Sequence, residues 1–136
     1  VTDRRIGPDV IGVGGSTGSM EAFAALLQTI PVDSGLAFVL VVDLKLDRES
    51  SLVSVLQKTT DLAVSLATEG EPLRPDAVYV IPPGKRLDVR HGRFRLSTRG
   101  TAEDRHSIVD QFFASLALDR QDHAVAVILS GTGTDG

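Results

Sequence analysis

Val10-Ile-Gly-Val-Gly-Gly-Ser-Thr-Gly18 decides how this chain is read. The apolar run Val10 to Val13 ends at Gly14-Gly15, as a buried strand does when it turns sharply at its end. From Ser19 to about Thr29, Met20, Phe23, Ala24 and Leu27 then recur at i, i+3, i+4 and i+7, the spacing of a helix with one buried face, and Pro31 helps to end it. The same alternation continues downstream. Ala37 to Val42 is a second buried strand, rich in β-branched residues, and Ser50 to about Thr59 a second helix with Leu52, Val55 and Leu56 inward. Asp76 to Ile81 is a third strand, stopped by Pro82-Pro83-Gly84. Leu87–Arg90 and Arg93–Leu96 flank His91-Gly92, the pattern of a two-residue β-hairpin. Ile108 to about Asp119 is a third helix, with Val109, Phe112, Phe113 and Leu116 as its buried face. Ala124 to Leu129 is a last apolar strand. Apolar strands alternating with amphipathic helices predict an α/β fold: a three-layer, Rossmann-like arrangement with a mostly parallel sheet and a β-hairpin insertion.

Composition narrows the function classes. A chain of 136 residues is one domain or most of one, and 42% hydrophobic with 24% charged residues is too apolar for a disordered segment. The longest apolar run, Leu36 to Val42, falls far short of the roughly 20 residues a membrane helix needs, so no membrane insertion is expected. There are no cysteines, which removes disulfides, thiolate metal sites and thiol nucleophiles together; no metal and no cofactor is expected. The net charge is −4, basic residues are adjacent only at Arg4-Arg5 and Lys85-Arg86, and aromatics are few, so no nucleic-acid partner is expected. Residues 1–9 read as a linker or N-terminal extension and 10–136 as the domain. The absence of an initiator Met suggests a piece of a longer chain or a processed one, and with no apolar signal segment nothing argues for secretion; a cytoplasmic location is expected.

Ligands of parallel sheets gather beyond the carboxyl ends of the strands. Three ends carry unusual residues: Gly14-Gly15-Ser16-Thr17-Gly18 after the first strand, Asp43 after the second, and Ser130-Gly131-Thr132-Gly133-Thr134-Asp135-Gly136 after the last. Gly14-x-Ser16-x-Gly18 fits the nucleophile elbow, in which flanking glycines let the chain turn tightly enough to lift a serine hydroxyl above the sheet edge. The following helix N-terminus supplies free N–H groups for an oxyanion. The bland alternative is a glycine-rich turn capped by Ser or Thr. A rival is dinucleotide binding, since Gly12-x-Gly14-x-x-Thr17 nearly matches the phosphate-loop fingerprint and Asp43 stands where a ribose-binding acid belongs. Against it, Thr17 occupies a position that must be small. Asp135 follows a buried strand in a glycine-rich turn, which brings its carboxylate near Ser16 if the two strands are neighbours; it is otherwise a turn residue bonding its own backbone.

Val10–Gly18, Glu69-Gly-Glu-Pro-Leu-Arg-Pro-Asp-Ala-Val-Tyr-Val-Ile-Pro-Pro-Gly84 and Val127-Ile-Leu-Ser-Gly-Thr-Gly-Thr-Asp-Gly136 together resemble the catalytic domain of chemotaxis protein-glutamate methylesterases of the CheB type. Ser130-Gly-Thr-Gly133 and Leu46-Asp-Arg-Glu-Ser-Ser-Leu52 look most like the branch fused to a receptor methyltransferase; stand-alone members usually carry Met at the position of Thr132. The resemblance implies hydrolysis of γ-glutamyl methyl esters on the cytoplasmic helices of methylated chemoreceptors, and in some members deamidation of glutamines. It implies Ser16 as nucleophile, Asp135 as the acid that orients the base, and backbone N–H groups near Thr17 and Thr132 as the oxyanion site. Family domains continue past the Asp-Gly motif, so a C-terminal part is expected beyond this stretch.

One departure bears on activity. The family's catalytic histidine follows the second strand, and here Val41-Val42-Asp43-Leu44 puts Asp43 in its place. An imidazole takes the serine proton and returns it to the leaving group near neutral pH, whereas an ionised aspartate only accepts. The expectation is an impaired esterase or, alternatively, a catalytically inactive pseudo-esterase kept as a regulatory or docking domain. His91 falls in the hairpin turn and His123 precedes the last strand at the wrong edge; His106, before the third helix, is the one histidine whose loop belongs at the strand carboxyl ends, and it reads as a polar loop residue first and as a substitute base second.

Overall fold

The computed structural model describes residues 8–15, 20–42, 49–98 and 108–129, with the backbone alone at 49–51. Strands β1 (Val10–Gly15), β2 (Ala37–Val42), β3 (Ala63–Leu66), β4 (Ala77–Val80) and β7 (Ala124–Leu129) form one sheet in the order β3-β4-β2-β1-β7, every pair parallel. Strands β5 (Lys85–Arg90) and β6 (Arg93–Thr98) form a separate antiparallel hairpin. Helices α1 (Met20–Gln28), α2 (Glu49–Gln57) and α3 (Ile108–Arg120) complete the described fold, with one 3-10 turn, Gln121–His123, before β7.

Side-chain alternation along the strands divides the core in two. Val13, Phe38, Leu40, Val42, Val78 and Val80 pack against Phe23 and Leu27 of α1 and Leu52 and Leu56 of α2. Val10, Val39, Val41, Tyr79 and Ile81 face Ile108, Phe112 and Leu116 of α3 and Leu87, Val89 and Phe94 of the hairpin. Helices α1 and α2 lie on one side of the sheet, α3 and the hairpin on the other: the three-layer α/β arrangement expected from the sequence. β2 is buried along its whole length, which is why it reads as an unbroken apolar run.

The hairpin is bound along both edges. His91 and Gly92 have φ of 54° and 73°, positive at both central residues as the tight type I′ turn requires. Phe94 meets Tyr79 edge-on with ring centroids 4.9 Å apart. The segment 70–73 runs along the outer edge of β6, where Phe94 N–H donates to Glu71 O at 2.9 Å and Gly70 N–H to Phe94 O at 2.8 Å. On the β5 edge, Val89 N–H donates to Ser115 Oγ of α3 at 3.1 Å, and both carboxylate oxygens of Asp119 accept from the turn N–H groups of His91 and Gly92. These contacts cover edges that would otherwise offer unpaired backbone groups. The Tyr79 hydroxyl accepts from Arg74 N–H at 3.0 Å and donates to Pro72 O at 3.4 Å; burial pushes its pKa up from the ordinary tyrosine value, with Glu71 adding to the rise.

Four details depart from the sequence reading. β3 was not expected: it is four residues long at a sheet edge, with only Val64 buried, so neither a run nor an alternation marks it. The Gln57 amide secures its entry, donating to Leu62 O at 2.7 Å and accepting from Val64 N–H at 2.9 Å. Val55, expected inward, is 53% exposed, because α2 packs over the narrow edge strand and covers only the Leu52–Leu56 stripe. On α3 the fully buried set is Ile108, Phe112, Leu116 and Arg120, with Val109 and Phe113 half-buried. Arg120 is buried as the tie to the start of the chain: its Nη2 donates to Pro8 O at 2.9 Å, while Asp9 O accepts from Ala37 N–H at 3.0 Å. Finally, β7 is not buried like β2. It is the edge strand of the described sheet, and Val125 and Ile128 are about half exposed.

Candidate functional site at the strand ends

β1 lies between β2 and β7, and all three run in the same direction. The register pairs Val10 with both Ala37 and Ala124, and continues without slip to Gly15, which pairs with both Val42 and Leu129. Three strands therefore stop abreast. At roughly 4.8 Å between neighbours, Val42, Gly15 and Leu129 form a row about 10 Å across. The strands of Ser16 and Asp135 are neighbours, the condition on which their pairing depends. Ser16, Thr17, Asp43, His106, Thr132 and Asp135 themselves lie outside the described residues.

Gly12 and Gly14 have a role that differs from a nucleotide fingerprint. Both sit inside β1, on the face against α3, and not in a turn. A Cβ at Gly12 would meet Leu116 Cδ2 and Phe112 Cε2 at 3.0 Å; at Gly14 it would meet Val109 Cγ1 at 2.5 Å. The glycines let α3 approach the strand that ends at Gly15, and this accounts for their spacing without a pyrophosphate.

Neither described histidine reaches the row of strand ends. His91 is exposed in the hairpin turn and held through its backbone by Asp119, close to the end of α3. His123 leads into β7 and its Nδ1 lies 2.8 Å from Asp9 Oδ1, next to Val10. Both belong to the edge where β1 and β7 begin, one strand length from where they end. Among the described residues no group of three His, Asp or Glu side chains is placed to hold a metal ion. No described helix is long and apolar enough to cross a membrane.

The sequence profile of the CheB methylesterase family matches residues 11–136. The protein-glutamate methylesterase/protein-glutamine glutaminase 2 of Methanospirillum hungatei is 32% identical over 128 residues, covering 93% of this chain and 37% of that protein. The corresponding protein 4 of Myxococcus xanthus is 31% identical over 130 residues, with 95% and 37% covered. A Yersinia pestis relative is 33% identical over 131 residues, with 93% and 37% covered. The chain thus spans little more than a third of the length of these curated relatives. Among solved structures, the catalytic domain of the Thermotoga maritima CheB methylesterase superposes with a TM-score of 0.84 at 26% identity, over 96% of this chain and 71% of that one. A match along nearly the whole chain, on a sheet of the same architecture, establishes that the chain belongs to the CheB methylesterase family.

Proposed function

We propose that residues 10–136 are the hydrolytic part of a protein-glutamate methylesterase of chemotaxis signalling, acting in the cytoplasm on methylated chemoreceptor helices and covalently linked to further signalling domains such as a methyltransferase. The observation that carries this reading is the row Val42–Gly15–Leu129. Each member is followed in sequence by a segment the chemistry needs: Ser16-Thr17 after β1, Asp43 after β2, and the stretch through Thr132 and Asp135 after β7.

In this mechanism Ser16 Oγ attacks the γ-carbonyl carbon of a glutamyl methyl ester. Its proton passes to a base, and the oxyanion rests on backbone N–H groups near Thr17 and Thr132. The C–OCH3 bond breaks, methanol leaves with the proton, and water hydrolyses the acyl-serine to free glutamate and restore Ser16. Asp135 orients the base. With Asp43 where the family carries histidine, the group that takes and returns the proton is a poor acid, so turnover is impaired. The second reading, a pseudo-esterase retained for docking, rests on this same substitution.

The test is methanol release from methylated receptor by the full-length chain. Wild-type hydrolysis near background, unchanged by Ser16→Ala, is expected. Asp43→His should raise it by at least ~10²-fold, the low end of what a positioned acid–base supplies. That gain should vanish in the Asp43→His, Ser16→Ala double mutant, because the members of a triad act as a unit. Brisk wild-type turnover that Ser16→Ala abolishes would refute the impairment and assign the base to Asp43 or His106, which Asp43→Asn and His106→Ala tell apart.

A further inference from the structure

Basic residues that look scattered along the sequence are gathered by the hairpin. From Lys85 to Thr98 there are five bases and one acid, a charge of +4; the chain as a whole is −4, which leaves −8 for the remainder. Alternation does the sorting. Leu87, Val89 and Phe94 point into the core. Arg86, Asp88 and Arg90 of β5 share the outward face with Arg93 and Arg95 of β6, in the register Arg90↔Arg93 and Asp88↔Arg95. Some of this charge is compensated: Arg86 Nε is 3.8 Å from Asp88, Arg95 Nη1 is 3.6 Å from Glu69, and Arg93 Nη1 donates to Gly70 O at 2.9 Å. Arg90 is exposed and has no acidic partner among the described residues. Two arginines directly opposite each other repel, so the Arg90–Arg93 pair does nothing for the stability of the hairpin.

The same face borders a hollow. Between β5 and α3 lies an open groove of about 670 Å³, lined by Arg86, Asp88 and Arg90 on the hairpin side and by Gln111, Leu118 and Asp119 on the helix side, so that its two arginines are matched by two carboxylates. Leu118 is 82% exposed, the most exposed large apolar side chain among the described residues. The excess of positive charge lies on the outward face, at the exposed Arg90 and Arg93, and with Leu118 at the groove beside it this face fits a segment that is acidic and carries an apolar residue of its own. Both edges of the hairpin are already covered, by 70–73 and by α3, so binding falls to its face and not to strand addition. No aromatic side chain lies on that face to stack a nucleic-acid base.

We propose that the outward face of the hairpin, with the groove it forms against α3, docks an acidic segment of a partner protein. The face extends from Arg86, six residues after the carboxyl end of β4, over about 14 Å to Arg90 at the turn, by the edge where β1 and β7 begin, so a segment laid along it runs toward the side of the strand ends. Resting on the proposed function, the partner is the glutamate-rich receptor segment that carries the esters, gripped along its length while one ester lies at the strand ends.

Fluorescence anisotropy of the full-length chain tests this with labelled peptides of equal length: one of glutamates with spaced leucines, one with lysine for glutamate, one lacking the leucines, and a single-stranded DNA oligomer. The glutamate–leucine peptide should bind, and weaken between about 0.01 M and about 0.15 M salt as the screening length falls from roughly 30 to roughly 8 Å. The double variant Arg90→Glu, Arg93→Glu should weaken it about tenfold, since each reversal removes one exposed charge contact and adds a repulsion. Leu118→Ala should erase the advantage of the leucine-bearing peptide. Because Arg93 also holds Gly70, Arg90→Glu alone is measured beside the pair and should weaken binding in the same direction. The proposal falls if the glutamate–leucine peptide fails to bind at low salt, if both arginine variants bind it like wild type, or if the DNA oligomer binds as tightly and responds alike. Methanol release is recorded separately. Peptide binding without hydrolysis, even with Asp43→His, refutes the catalytic reading alone, and hydrolysis without peptide binding refutes the docking alone.

Discussion

Gly14→Ala tests the contact on which the position of the first strand end depends. Gly14 is not in the left-handed backbone region, so alanine is locally allowed, and the question is purely one of space. The new Cβ would stand 2.5 Å from Val109 Cγ1 and 3.3 Å from Ile128 Cδ1 and Phe113 Cζ. Carbon atoms prefer about 3.5–4.0 Å, so the first contact overlaps by about 1 Å. Val109 cannot swing away, because a β-branched side chain in a helix has essentially one rotamer. The helix must therefore lift. Overpacking of this kind costs about 1–3 kcal/mol. The stiffer unfolded chain returns about 0.4–1 kcal/mol, which leaves the variant less stable. Val109→Ala removes the offending methyl and, for a half-buried valine, costs about 1 kcal/mol by itself. If the clash is the cause, the double mutant loses less than the two singles together by about 1 kcal/mol or more. Urea titrations of the four proteins give the cycle, with m-values checked for constancy. A neutral Gly14→Ala, or additivity within about 0.5 kcal/mol, would refute the account of why glycine stands there.

Asp119→Ala should destabilise the chain by about 1.5–3 kcal/mol, since a carboxylate that accepts from two turn N–H groups is a charge-assisted pair; hydrogen exchange at His91 and Gly92 should speed up, and unchanged protection there would contradict the contact. Tyr79→Phe should cost about 1 kcal/mol near neutral pH, from its lost bonds to Arg74 and Pro72. Burial raises the phenol's pKa in the folded chain, so its contribution is complete below about pH 10 and fades as pH climbs through the folded pKa. The stability gap between wild type and Tyr79→Phe should accordingly narrow in strong alkali, and a gap independent of pH would mean that the phenol is not buried.

Legibility followed burial and period. β2 reads clearly because both its faces are covered, and the hairpin because His91-Gly92 permits little else between two alternating runs. β3 was invisible because one buried side chain in four residues is no pattern. The exposure of β7 was hidden for a different reason: its apolar composition matches that of a central strand, and only the strand order reveals an edge. Gly12 and Gly14 read in sequence as parts of an elbow and of a near-match to a phosphate loop, since a sequence cannot show that Val109, Phe112 and Leu116 stand above them. The basic face is not legible in the sequence, because its arginines are adjacent in the hairpin and apart in the chain. Of the site, the motifs and their order are legible, and the structure adds the common register of the three strands that precede them in sequence.

Helix α3 connects these features mechanically. One side of it lies so close to β1 that a Cβ at Gly14 would stand 2.5 Å from Val109 and one at Gly12 3.0 Å from Phe112. Another side meets the free edge of β5, where Ser115 accepts from Val89 N–H and Asp119 from His91 N–H. Four residues of helix rise about 6.0 Å and two residues of strand about 6.8 Å, so successive helical turns keep step with every second N–H group of β5. Gln111, one turn earlier, lines the same groove. A shift of α3 along its axis would break this match with β5 and the fit over Gly12 and Gly14 together. The strand end at Gly15 and the arginine face of the hairpin are therefore held in one rigid relation by a single helix, the condition for a segment gripped at the hairpin to present a fixed point of its length at the strand ends.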